Sequence, residues 1–185
     1  SRLEAQLPRI VSLRLRLSPF RSFRANVAEY VTPLATRNRS RAVIVQSSSN
    51  GTDHAVLLDA LAGSDGHWRG VALVDAQTTS AEVAELHAAG VRGFRLNFLP
   101  HLPAAAGLRD IRHVFAAAAE HGWHASVHVS GDGILRCAEL VEQIPVPLVI
   151  DHMARVDLGN GLDSPAVKRL LRSLAGGRTW ATGGG

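Results

Sequence analysis

From residue 42 onward, short β-branched runs alternate with amphipathic helical stretches, and this alternation leaves few folds open. The runs begin at Ala42, Arg69, Val91, Trp123 and Pro147, and each is followed by a stretch with helical spacing. Strands alternating with helices at this period pair in parallel through right-handed crossovers. The spacing predicts strands at 42–46, 69–74, 91–98, 123–129 and 147–150. Helices are expected at about 53–61, from Thr79 to Gly90, at 108–121 and at 133–143. Thr79 and Glu82 form a capping box, and Gly90 suits a helix end. Ser164-Pro165 is a cap followed by proline at the first helical position. Beyond it, Val167, Leu170, Leu171 and Leu174 share one stripe. Residues 178–181 read as an aborted strand. Five good βα units fit a doubly wound sheet or part of a barrel.

Alternate residues of a strand share a face, so parity assigns side chains to the two sides of the sheet. Phe94, Leu96 and Phe98 suit packing against helices, while Gly93, Arg95 and Asn97 face the other way. On the next strand Trp123, Ala125, Val127 and Val129 oppose His124, Ser126 and His128. A polar inner face that becomes functional at its C-terminal end is the pattern of a barrel interior. His124 is expected in the bottom layer and His128 at the functional end.

The strand at 147–150 ends abruptly in Asp151, His152 and Arg155. In parallel α/β proteins chemistry is placed in the loops after the strand C-termini. An acid, an imidazole and a guanidinium within five residues of a strand end therefore mark a candidate site.

Charge divides the chain unevenly. Residues 1–41 carry nine arginines against Glu4 and Glu29, a net of +7, and the remainder is slightly acidic. All nine histidines and all seventeen glycines lie after residue 41. Residues 1–41 thus read as an atypical arginine-rich head, and 42–185 as the regular domain. Within the head, residues 13–17 alternate like a strand, and residues 27–34 could form a helix interrupted at Pro33. Its arginines are scattered among Leu and Phe without repeat, so no nucleic-acid partner is expected. No apolar run approaches the ~18 residues of a membrane span, so no membrane partner is expected either. The single cysteine, Cys137, excludes a disulfide framework and fits a reducing compartment, with a cytoplasmic location expected.

Four stretches, 42–53, 92–102, 122–129 and 145–155, resemble the amidohydrolase family in its lactone-hydrolysing branch. The most specific are Gly93-Phe-Arg-Leu-Asn-Phe-Leu and Ile144-Pro-Val-Pro-Leu-Val-Ile-Asp-His-Met-Ala-Arg. The likeness covers about residues 42–175. It implies an α/β fold, a partial TIM-type (β/α)8 barrel of about strands 2–6 with flanking helices. It implies a hydrolase acting on a carboxylated lactone, with sugar-lactone isomerases and decarboxylases among the relatives.

The resemblance assigns His152 as the strand-6 histidine, with Arg155 and Arg95 as arginines for substrate carboxylates. His128 falls at the strand-5 position, where metal-dependent relatives hold a ligand. His128 and His152 are accordingly the candidates for catalysis and for binding one divalent metal, zinc or manganese, if any is bound. Asn97, Ser47, Ser48 and His101 are the further substrate-binding candidates. His101 stands where the lactonase pattern has arginine, and a plain turn explains Ser47 and Ser48 equally well.

The resemblance also expects a His-x-His pair at the end of strand 1 and an aspartate ending strand 8. Residues 1–41 contain no histidine, and the strands read from the sequence stop near strand 7. A truncated or impaired form is expected, with a head that fits an out-of-frame or misassembled segment. The competing expectation is a non-catalytic anion-binding or assembly fragment, able to self-associate through exposed sheet edges.

Overall fold

The computed structural model describes residues 12–13, 41–99 and 111–183. Seven strands form one sheet in sequence order, and each pairs in parallel with the next. They are β1 (Ser12–Leu13), β2 (Ala42–Val45), β3 (Trp68–Leu73), β4 (Val91–Asn97), β5 (His124–His128), β6 (Leu148–Ile150) and β7 (Thr179–Ala181). Sequential order without reversal is the topology of a barrel wall, not of a doubly wound sheet. Strands β2 to β7 curl into a half-barrel with helices on the outside. The partial α/β barrel expected from the sequence is the fold.

Among the described residues six α-helices flank the sheet: α1 (Ala55–Ala62), α2 (Ser80–Ala88), α3 (Arg112–Glu120), α4 (Gly133–Arg136), α5 (Ala138–Glu142) and α6 (Pro165–Ala175). The Thr79 hydroxyl accepts from the Glu82 backbone N–H, and the Glu82 carboxylate returns the bond to the Thr79 N–H. Both halves of the capping box are therefore made. Three expectations are corrected. The helix expected at 133–143 is two short helices, because Cys137 leaves helical geometry between them. Ser164 occupies the cap position of α6, but its side chain makes no cap bond. Residues 179–181 are not an aborted strand: they complete the β6 ladder, with Thr179 opposite Leu148 and Ala181 opposite Ile150. The strand expected at 13–17 is described only at Ser12–Leu13. The helix expected at 27–34 lies outside the described residues.

Parity holds across β4 and β5. Phe94, Leu96, Trp123, Ala125 and Val127 are buried on the helix side, and Phe94 stacks on Phe115 of α3 at 5.6 Å. The inner faces meet in three rungs: Gly93 opposite His124, Arg95 opposite Ser126, and Asn97 opposite His128. The bottom rung explains the glycine. A Cβ at Gly93 would come within 2.6 Å of the His124 ring, so the imidazole can lie in the bottom layer only because position 93 has no side chain. Gly93→Ala should therefore lower stability by about 1–3 kcal/mol through overpacking, measured as a shift in urea midpoint.

The same end of the sheet holds a second imidazole. Trp123 Nε1–H donates to His87 Nδ1 at 3.1 Å, and His87 stacks on His121 at 4.5 Å. Burial holds both His87 and His124 below the ordinary imidazole value of 6.5, and Arg92 adds to the effect at His87. Such groups take up protons more readily in the unfolded chain. Their contribution is complete above about pH 6.5 and is lost as pH falls through the lowered folded values. The urea midpoint should drop between about pH 7.5 and about pH 5.5, and His87→Gln should reduce the drop.

Candidate functional site

The C-terminal ends of β2, β4, β5 and β6 converge, and the residues there form two layers. In the lower layer Arg95, only 5 % exposed, points an Nη2 at Asp151 Oδ2, 2.7 Å away. The second carboxylate oxygen, Oδ1, accepts from Ser126 Oγ at 2.9 Å. One carboxylate on β6's end thus ties β4 and β5 to β6. Arg95 Nε is buried and has no hydrogen-bond partner among the described residues. Burial pulls the guanidinium below the usual arginine range, outweighing the opposing attraction of Asp151. Arg155 adds to the depression by its like charge, so the two arginines lie within electrostatic reach of each other.

In the upper layer Asn97 Nδ2 donates to Ser48 Oγ at 3.0 Å, leaving its Oδ1 to accept from His128 Nδ1 at 3.3 Å. The His152 ring meets the His128 ring edge-on, with centroids 6.2 Å apart. Ser48 is brought here by buried Gln46, which holds the loop after β2. Its Nε2 donates to the carbonyls of Gly51 and Asp53, and its Oε1 accepts from the Leu73 N–H. Ser47 instead caps the short 3-10 turn Ser48–Asn50, accepting from the Ser49 N–H.

His152 to Arg155 form a left-handed turn, with φ of 52°, 48°, 55° and 46°. Non-glycine residues in this region cost roughly 1–2 kcal/mol each, so the turn must be held from outside. Thr182, just past β7, holds it: its Oγ1 accepts from the His152 N–H and its carbonyl from the Met153 N–H. The Gly131 N–H donates to the Ala154 carbonyl from the β5 side. The turn leaves His152 half-buried and Arg155 exposed at the rim.

The structure thus brings together Arg95, Asn97, His128, His152, Arg155 and Ser48. His101 lies outside the described residues. Among the described residues no group of three or more His, Cys, Asp or Glu is placed to hold a metal. Catalytic zinc sites usually offer three protein ligands, and His128 with His152 makes two, so the described donor set does not by itself fit a catalytic metal. Gln46, Asp151 as the partner of Arg95, and Thr182 were not assigned by motif. Parity had already put Ser126 on the inner face, but nothing local in the sequence marks Thr182.

Fold and site together define a barrel-type α/β protein whose strand ends carry a histidine pair and arginines. The amidohydrolase family model matches residues 15–185, and the chain belongs to that family. It is 34% identical over 135 residues to a 2-pyrone-4,6-dicarboxylate hydrolase of Comamonas testosteroni, covering 73% of this chain and 44% of the relative. It is 28% identical over 140 residues to a D-galactarolactone isomerase of Agrobacterium fabrum, covering 76% and 47%. A probable 2-pyrone-4,6-dicarboxylic acid hydrolase from Acinetobacter baumannii, crystallised with citric acid, matches with a TM-score of 0.74 at 27% identity. That match covers 90% of this chain and 61% of the other. The chain spans about half the length of the curated relatives it matches.

Removing one partner of a buried ion pair leaves the other charge uncompensated. Asp151→Ala should cost about 3–5 kcal/mol, read by urea denaturation, because it strands the Arg95 guanidinium.

Proposed function

We propose that this chain forms the anion-binding and carbonyl-polarising side of a lactone-hydrolysing amidohydrolase site. The observation that carries the reading is the convergence of His152, His128, Arg155 and the buried, partly unsatisfied Arg95 at the strand C-termini. Arginine forks bind carboxylates through paired charge-assisted bonds, and Arg155 at the rim is accessible to a substrate carboxylate. Arg95 is committed through Nη2 to Asp151, and its Nε is buried without a hydrogen-bond partner among the described residues. On this reading His152, carried on a turn bonded to Thr182, polarises the lactone carbonyl as negative charge develops on its oxygen.

Hydrolysis also needs a base to activate water. Asp151 is poorly suited to that role, since both of its oxygens are engaged by Arg95 and Ser126. The family resemblance assigns the base to the end of an eighth strand. The reading therefore expects binding of carboxylated lactones by this chain, with little turnover from its described residues alone.

A lactone isomerase is the second reading, favoured by the similarity to the galactarolactone isomerase. Product analysis separates the two: hydrolysis opens the ring to an acid, whereas isomerisation returns a lactone. The purified chain should bind pyrone dicarboxylate. Arg155→Ala should weaken that binding by about 1.5–3 kcal/mol, and His152→Ala should lower any residual kcat with little effect on affinity. Calorimetry showing no binding of any carboxylated lactone to folded protein would sink the proposal. Binding without measurable turnover, in a chain extended to the relatives' length, would favour the non-catalytic anion-binding reading.

A further inference from the structure

The sequence repeats Arg-Gly-apolar at the starts of two adjacent strands, Arg69-Gly70-Val71 and Arg92-Gly93-Phe94, and the candidate site uses neither arginine. Both lie at the opposite end of the sheet. They line a cleft of about 440 Å³ beside the C-terminal ends of α1 and α2, with Leu58, Leu61, Trp68 and Ala88 as apolar lining. That volume lies within the range of small-molecule sites, about 300–1,000 Å³. We propose that Arg69 and Arg92 form a second binding site here, for a small carboxylate with an apolar body.

Three features of the backbone and the guanidinium groups carry the assignment. First, the β3–β4 ladder slips: Gly70 pairs with Val91 but Val71 pairs with Gly93, so Arg92 is the extra residue of a bulge. A bulge re-aims a side chain that regular pairing would send elsewhere. Second, each guanidinium is fixed through Nη1 alone. Arg69 Nη1 donates to the carbonyls of Gly66 and Trp68, and Arg92 Nη1 to those of His87 and Val91, all at 2.6–2.8 Å. These bonds satisfy carbonyls near the helix ends and orient the two groups in advance. Third, among the described residues neither arginine has a carboxylate partner or a bond through Nε or Nη2. The Nε–Nη2 edge is a fork that matches a carboxylate.

The arrangement places two like charges in one cleft. Arg92 is held below the usual arginine range, first by burial and then by Arg69. A bound carboxylate relieves that repulsion, and its hydrocarbon part covers Leu58, Leu61 and Trp68. Inorganic phosphate offers the charge without the apolar body, so it should bind more weakly.

The test is an NMR titration of the full chain with benzoate and, separately, inorganic phosphate. Benzoate should bind in the millimolar range and shift the Gly66 and Gly90 amides and the Trp68 indole. Arg69→Gln should weaken it about tenfold, and Arg69→Lys should weaken it several-fold, because the charge stays while the fork is lost. Arg155→Ala should leave these shifts unchanged, which separates this cleft from the site at the strand C-termini. Should Arg92→Gln fail to fold, exposed Arg69 carries the test alone. Absence of shifts at Gly66, Gly90 and Trp68, or affinity unchanged in Arg69→Gln, overturns the site. Phosphate binding as tightly as benzoate overturns the assigned ligand class.

Discussion

The buried ion pair between Arg95 and Asp151 is the interaction on which the rest of the site depends. It joins the middle of β4 to the end of β6, and Ser126 ties in β5 through the other carboxylate oxygen. Two charges removed from water are stabilising only when their geometry and remaining hydrogen bonds are good. Here Asp151 is satisfied at both oxygens, whereas Arg95 keeps an unpaired Nε. The imbalance has a direction: the lower layer is complete on the acid side and unsatisfied on the cationic side.

The layers above and below follow from that pair. Below it, Gly93 clears room for the His124 ring, which burial holds below the ordinary imidazole value. Above it, Asn97 is one step of two along β4 from Arg95 and lies opposite His128, so strand register sets the Asn97–His128 bond, while the loop held by Gln46 brings Ser48 to Asn97. His152 is different, because no strand register fixes it. It sits one residue past Asp151 in a left-handed turn that is unfavourable for its own sequence. Thr182 offsets that cost by accepting two of the turn's N–H groups. The position of His152 is therefore coupled to β7, a strand of three residues.

Membership of the amidohydrolase family and the half-barrel fold are consistent with this layered reading, and the chain spans about half of its curated relatives. The two ends of the sheet use arginine differently. At the C-terminal ends Arg95 is buried and paired with a carboxylate from the chain itself. At the opposite end Arg69 and Arg92 are anchored to backbone carbonyls and, among the described residues, pair with no carboxylate. Burial decides the difference: a guanidinium in the sheet interior needs an internal counter-charge, whereas one beside solvent does not.

Much of this was legible in the sequence because it rests on local physics. The period of alternating strands and helices fixed the parallel class, the Thr79–Glu82 capping box marked one helix start, and parity sorted Arg95, Asn97, Ser126 and His128 onto one face. The stretch ending in Asp151-His152-Met153-Ala154-Arg155 announced a site by its abrupt change from apolar to charged. What parity could not show is which partner each inner residue takes, since Asp151 and Arg95 are far apart in the chain and meet only when β4, β5 and β6 align. Nor could it show that residues 179–181 form a strand, because a three-residue run has little preference of its own and is stabilised by the β6 ladder it completes. The left-handed turn at His152 is the clearest case. Its sequence carries no glycine or asparagine to signal it, and only the bonds from Thr182 and Gly131, supplied by tertiary structure, make that backbone favourable.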